Sequence, residues 1–74
     1  MGSSSANWIK IIYDREAYLI DLSCISAFVC SANGKITFWL PDNGMPIVIN
    51  PQSNPEAHQK ILMFIQDKTG YSLP

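Results

Sequence analysis

The chain is poor in charge. Only 15% of its 74 residues are Asp, Glu, Lys or Arg, and the net charge is −1. Lys10, Arg15, Lys35, Lys60 and Lys68 are scattered and offset by acids. A protein that neutralises a phosphate backbone normally carries a basic stripe, so this balance argues against nucleic acid as the main partner. Histidine is confined to His58, and no pattern brings a nucleophile, a base and an orienting group together. Cys24 and Cys30 are too few for a disulfide scaffold, and with His58 they lack zinc spacing. On one strand, cysteines six apart would lie roughly 20 Å from each other, too far to bond. Two thiols in a reducing compartment are the simpler reading. Gly34, Gly44 and Gly70 are isolated, which excludes a glycine-rich phosphate loop. Uninterrupted apolar runs reach only five residues, as in residues 61–65, too few to span a membrane. No basic segment followed by an apolar run marks a secretory signal. These absences point to a cytoplasmic protein without catalysis, cofactor or metal.

What is present is a globular composition, with 47% hydrophobic residues. Residues 1–6 (MGSSSA) read as a disordered leader, and residues 7–74 as one small domain. A chain of this size buries only about 60% of the surface its unfolded form exposes, so its core is marginal and a partner would help it.

Residues 8–13 (WIKIIY) are rich in Ile and aromatics and predict a first strand. Asp14-Arg15-Glu16 reads as a charged turn of about four residues, and residues 17–22 (AYLIDL) as a second strand pairing back. Ser23-Cys24 breaks the pattern and predicts a bend or short turn, with one long bent strand as the alternative. The stretch ISAFVCSANGKITFWL, residues 25–40, is organised around Asn33-Gly34. That dipeptide favours a two-residue type I′ hairpin loop. Such a loop sets Val29 opposite Phe38 and Phe28 opposite Trp39. Pro41 ends this strand and Asp42-Asn43-Gly44 turns the chain. Residues 47–50 then form a short strand whose flanking Pro46 and Pro51 suit a sheet edge. Asn54 as N-cap and Pro55 at the first helical position open a helix, with Ser53 and Glu56 offering a competing capping box. Gly70 sits where a left-handed stop belongs, with Tyr71 folding back after it.

Helical periodicity gathers Ala57, Ile61, Leu62, Phe64 and Ile65 on one face, with Met63 nearly opposite. The fold class expected is therefore α+β: an antiparallel meander of about five strands with one C-terminal helix packed on one face. The core then draws on Ile9, Ile11, Ile20, Leu22, Ile25, Val29, Ile36, Phe38, Leu40, Ile47 and Ile49. Left on the other face are Ile12, Leu19, Phe28, Cys30, Trp39 and Val48, mixed with Lys10, Asp21 and Thr37. A single helix cannot cover both faces, and large exposed apolar patches usually mark interfaces. Ile12, Leu19, Phe28, Trp39 and Val48 are the expected protein interface, with a second copy as partner, a dimer first, or else another protein. The competing reading folds Trp8 and the residue 71–74 tail over this face. The functional alternative is single-stranded nucleic-acid binding, with Trp8, Phe28 and Trp39 stacking bases beside Lys10 and Lys35.

From Ile9 through Ile65 the chain resembles small bacterial proteins of the flagellar FlbD type. The resemblance rests on the segments IKI, YLIDLSCIS, GKITFWL, PIVI and EAHQKILMFI, in that order. It implies a small cytoplasmic bacterial protein without catalysis, and it assigns no role to any single residue.

Overall fold

A computed structural model of the chain describes residues 7–73. Residues 1–6, the expected leader, and Pro74 lie outside the described residues. The chain forms five antiparallel strands in two small sheets and one C-terminal helix, an α+β architecture. Strand β1 (Trp8–Tyr13) pairs with β2 (Glu16–Asp21) as a separate two-stranded ladder. Strands β3 (Phe28–Cys30), β4 (Ile36–Trp39) and β5 (Pro46–Ile49) form the second sheet in that order. The expected meander is thus divided after its first hairpin.

Ser23-Cys24 is the cause of the division. A 3₁₀ turn over Leu22–Cys24 follows β2 directly. Asp21 caps it: its Oδ1 accepts from the Ser23 amide at 3.0 Å and from the Ser23 hydroxyl at 2.6 Å. A short polar side chain that bonds the backbone two residues on competes with the sheet ladder. The strand stops there, and the long bent strand does not form.

The first hairpin turns in two residues, not four. Ile9 faces Ile20 and Tyr13 faces Glu16, leaving Asp14 and Arg15 as the loop. Both have positive φ, 54° and 68°, which is the backbone of a type I′ turn. Asp adopts this region readily, but Arg does so at a cost of about 1–2 kcal/mol. The strong pairing of flanking Ile and Tyr residues holds the turn in place.

The second hairpin departs from the register expected of Asn33-Gly34. Phe28 faces Phe38, Val29 faces Thr37 and Cys30 faces Ile36. The loop has three residues, since the Ser31 amide donates to Lys35 O at 2.9 Å and the Gly34 amide donates to Ser31 O at 2.9 Å. Only Gly34, at φ 87°, is left-handed. This is a turn followed by an αL glycine, the common three-residue alternative to the two-residue loop. A one-residue slip moves every side chain to the other face. Phe28 and Cys30 therefore turn inward, and Val29 turns out to solvent. The expected placements of Val29 in the core and of Phe28 and Cys30 on the open face are both overturned. The reason is packing: the expected register would set the Ser31 hydroxyl opposite buried Ile36, whereas the observed one offers a Phe and a Cys to the core. Burying a phenyl ring in place of a valyl side chain also removes more apolar area from water.

The β4–β5 turn matches expectation more closely. Gly44, at φ 69°, donates its amide to Leu40 O at 2.8 Å, and Leu40 N donates to Met45 O at 2.9 Å. Strand β5 lies at the sheet edge and begins with Pro46, where a missing donor does no harm.

Helix α1 (Pro55–Thr69) has Asn54 as N-cap and Pro55 in its first turn. The Asn54 side chain makes no capping bond; its carbonyl accepts from His58 N at 2.9 Å. Glu56 and Lys68 stand at the two ends in the sense that suits the helix dipole. Gly70 ends the helix in the αL conformation, its amide donating to Gln66 O. Tyr71 does not fold back but stays exposed, and Leu73 packs against the core in its stead.

The helix lies against β1, and the Lys60 ammonium donates to Trp8 O at 3.5 Å. Its buried face is Ala57, Ile61 and Ile65, with Leu62 and Phe64 half-buried and Met63 outward. These close a core made of Ile9, Ile11, Ile20 and Leu22 from the first hairpin and Ile36, Phe38, Ile47 and Ile49 from the second sheet. Phe38 anchors it, with the Phe28 ring edge-on at 5.6 Å and Phe28 tilted to Phe64 at 6.4 Å. Among the described residues, no polar or charged residue is buried in it. The Cα radius of gyration, 11.8 Å, is close to the roughly 11 Å of a compact chain this long.

Candidate functional site

The inward set consumes one side of each ladder, and alternation sends the rest outward. On the β1–β2 ladder, Ile12 pairs across with Ala17 and Lys10 with Leu19, all on the outer face with Trp8 and Asp21. On the second sheet, Val29, Thr37 and Val48 form one row across all three strands. Trp39, two residues along from Thr37, pairs with Pro46 on the same face.

Both outer faces carry large exposed apolar side chains. Leu19 is 71% exposed, Ile12 59%, Val29 49%, and Trp8 and Trp39 43% each. Val48 is half-buried between its neighbours. Of the residues expected at an interface, Ile12, Leu19, Trp39 and Val48 point outward as expected. Phe28 does not: it is half-buried against Phe38 and Phe64. Val29 takes its place outside. Nothing local in the sequence marks Val29 for this role; only the loop length decides it. The same correction removes Phe28 from the aromatic set proposed to stack bases, leaving Trp8 and Trp39, one on each sheet.

Several polar groups near these faces are engaged by the fold. Asp21 is held below the usual carboxylate range, first by the Ser23 hydroxyl, then by the Ser23 amide, with a lesser contribution from the Cys24 thiol at 3.7 Å. Tyr18, on the inner side of β2, has its phenol pushed above the ordinary tyrosine value. Burial is the main cause, and the nearby Glu16 carboxylate, 3.4 Å from the hydroxyl, adds to it. His58 is half-buried, and its Nε2 lies 2.7 Å from Gly34 O. A carbonyl can only accept, so Nε2 carries the proton. The ring thereby ties the first turn of α1 to the β3–β4 loop. Among the described residues, no group of three or more His, Cys, Asp or Glu side chains gathers in a way that could hold a metal ion. Nor, among those residues, is any helix long and apolar enough to cross a membrane.

Fold and surface together define a small α+β domain with one apolar core and outward-facing apolar side chains on each of its two sheets. Comparison of the chain with protein-family models, curated proteins and solved structures finds no match.

Proposed function

We propose that the protein is a non-catalytic, cytoplasmic interaction module that associates with a second copy of itself through the outer faces of its two sheets. The observation that carries this reading is the outward apolar set Trp8, Ile12, Leu19, Val29 and Trp39, gathered on two ladders whose other faces are already filled. Taking about 250 Å² for a whole indole side chain, the two tryptophans alone expose roughly 200 Å². With Ile12, Leu19 and Val29 the apolar surface on the two outer faces together comes to a few hundred Å², the scale at which a partner gains by covering it. A second copy is the partner because the surface is apolar and the two charges on it, Lys10 and Asp21, are of opposite sign. A two-fold interface sets a surface against itself, so it favours a patch that needs no complementary charge. The small core gives such a contact a further role, since a chain of this length gains stability from a partner.

Sedimentation equilibrium of the whole chain at micromolar concentration tests this. The expected species is a dimer, and a Leu19→Lys, Trp39→Lys double variant should sediment as a monomer with an unchanged circular dichroism spectrum. Both substitutions place a charge on an exposed position, so the fold should tolerate them. A wild-type chain that stays monomeric would sink the reading, as would a double variant that still dimerises.

A further inference from the structure

A groove of about 740 Å³ opens on another part of the molecule and shares no residue with the outward apolar set. Its floor is Leu22, Phe28, Phe64 and Ile65. One wall is the segment between the 3₁₀ turn and β3, which includes Ser26 and Ala27; the other is the last two turns of α1. Asn7, Tyr71 and Leu73 also line it. Leu22 and Ile65 are buried, whereas Ile25, Phe28, Phe64 and Leu73 are only half-buried and pack against the core from outside. The groove is thus the place where the core is incomplete, and an apolar occupant would finish burying four side chains at once. Its volume falls in the range of small-molecule sites, which pair an apolar lining with a few polar groups.

Among the described residues one formal charge lines it, the Lys68 ammonium. Lys68 is held only loosely, 3.9 Å from the Asp67 carboxylate, with both side chains more than half exposed. A helix C-terminus ordinarily repels anions. Here Gln66 O accepts from the Gly70 amide at 2.9 Å, and the Thr69 hydroxyl is turned back onto Ile65 O at 2.7 Å, so Lys68 supplies the positive charge at this end of the groove. An anionic head group in the groove would find its counter-charge in that ammonium. We propose that this groove binds a medium-chain aliphatic carboxylate, its chain laid over Phe28 and Phe64 and its head group paired with Lys68.

The test is an amide and methyl chemical-shift titration of the full chain with decanoate, decanol and decyltrimethylammonium, each kept below the concentration at which it self-associates. Decanoate should give saturable shifts centred on Phe28, Phe64, Lys68 and Leu73. It should bind on the order of threefold more tightly than decanol, the preference an exposed ion pair supports, with the cation weakest. Lys68→Gln should erase the preference and leave decanol binding unchanged. Ala27→Phe, at an exposed wall position, should fill the groove and abolish binding of all three; Ser26→Phe serves if that variant's spectrum is not native. Shifts that never saturate overturn the proposal, as do shifts that map to Ile12, Leu19 and Trp39. Equal affinity for the three head groups overturns it too, and so does undiminished binding to a folded groove-filled variant.

Discussion

Exchanging two neighbouring side chains for alanine, one at a time, distinguishes the two possible registers of the β3–β4 hairpin. Phe28 is half-buried, with its ring in edge contact with Phe38 at 5.6 Å and tilted to Phe64 at 6.4 Å. Truncating a fully buried Phe to Ala costs about 3–5 kcal/mol. Half burial brings Phe28→Ala to about 2 kcal/mol, of which an aromatic edge pair supplies about 0.5–1.5 kcal/mol. Val29 is 49% exposed on the outer face. Val29→Ala removes two methyl groups already half in water, so it should cost no more than about 1 kcal/mol. A domain this size has roughly 4–11 kcal/mol of stability in all, so both variants stay folded and both losses are measurable. Urea unfolding at matched protein concentration, with equal m-values, gives the two midpoints directly. With a two-residue Asn33-Gly34 loop the order would invert, because Val29 would then sit opposite Phe38. A Val29→Ala variant less stable than Phe28→Ala would therefore refute the register, and with it the outward position of Val29 and the floor of the groove.

Two left-handed turn positions should respond with opposite signs. Gly34→Ala forces a Cβ onto φ 87° and should lose about 1 kcal/mol, although that Cβ would meet only Pro51 Cγ at an ordinary 3.7 Å. Arg15→Gly relieves a side chain held at φ 68° and should gain up to about 1 kcal/mol by thermal unfolding; a loss there would show that the Asp14-Arg15 turn is not left-handed. Asp21, whose carboxyl is held down in the folded chain, contributes stability above its unfolded value and loses it as the pH falls through the lower folded one. Protection of the Ser23 amide from hydrogen exchange, corrected for intrinsic rates, should therefore drop on acidification below about pH 4, and in Asp21→Ala the drop should vanish. An acid-dependent loss that survives in Asp21→Ala would mean another group is responsible.

Much of the fold is legible from short-range signals. Asn54-Pro55 and Gly70 bracket the helix because caps depend on one or two residues and their backbone angles. Ile9, Ile11, Ile20 and Leu22 read as core, and Ile12 and Leu19 as outward, because strict alternation leaves no other choice in a strand. The prolines at 46 and 51 mark an edge for lack of a donor. What escapes is loop length. Asn33-Gly34 satisfies a two-residue loop with both positions left-handed, and equally a three-residue loop with Gly34 alone left-handed. The choice is made by Phe28 and Ser31 against Phe38 and Ile36, partners distant in sequence. The reverse error occurs at Asp14-Arg15, where residues with no strong turn signal adopt the two-residue loop that Asn-Gly declines. One slipped residue is then enough to exchange Phe28 for Val29 in the candidate interface. The groove was not legible at all, since it depends on how the end of the helix stands off from the segment entering β3.

The 3₁₀ turn at Leu22–Cys24 also bears on how the chain folds. Among the described residues every strand pairs only with its neighbour in the sequence, and no ladder bond joins the two sheets. Closing such short loops costs little chain entropy, so each ladder can form early and on its own. Among the described residues the sheets are joined by side chains packed in the core and against α1 and by the Tyr18 hydroxyl on Met45 Sδ at 3.8 Å. They can therefore open as two separate cooperative units, with amides of β1–β2 and of β3–β5 exchanging at different rates in the native state.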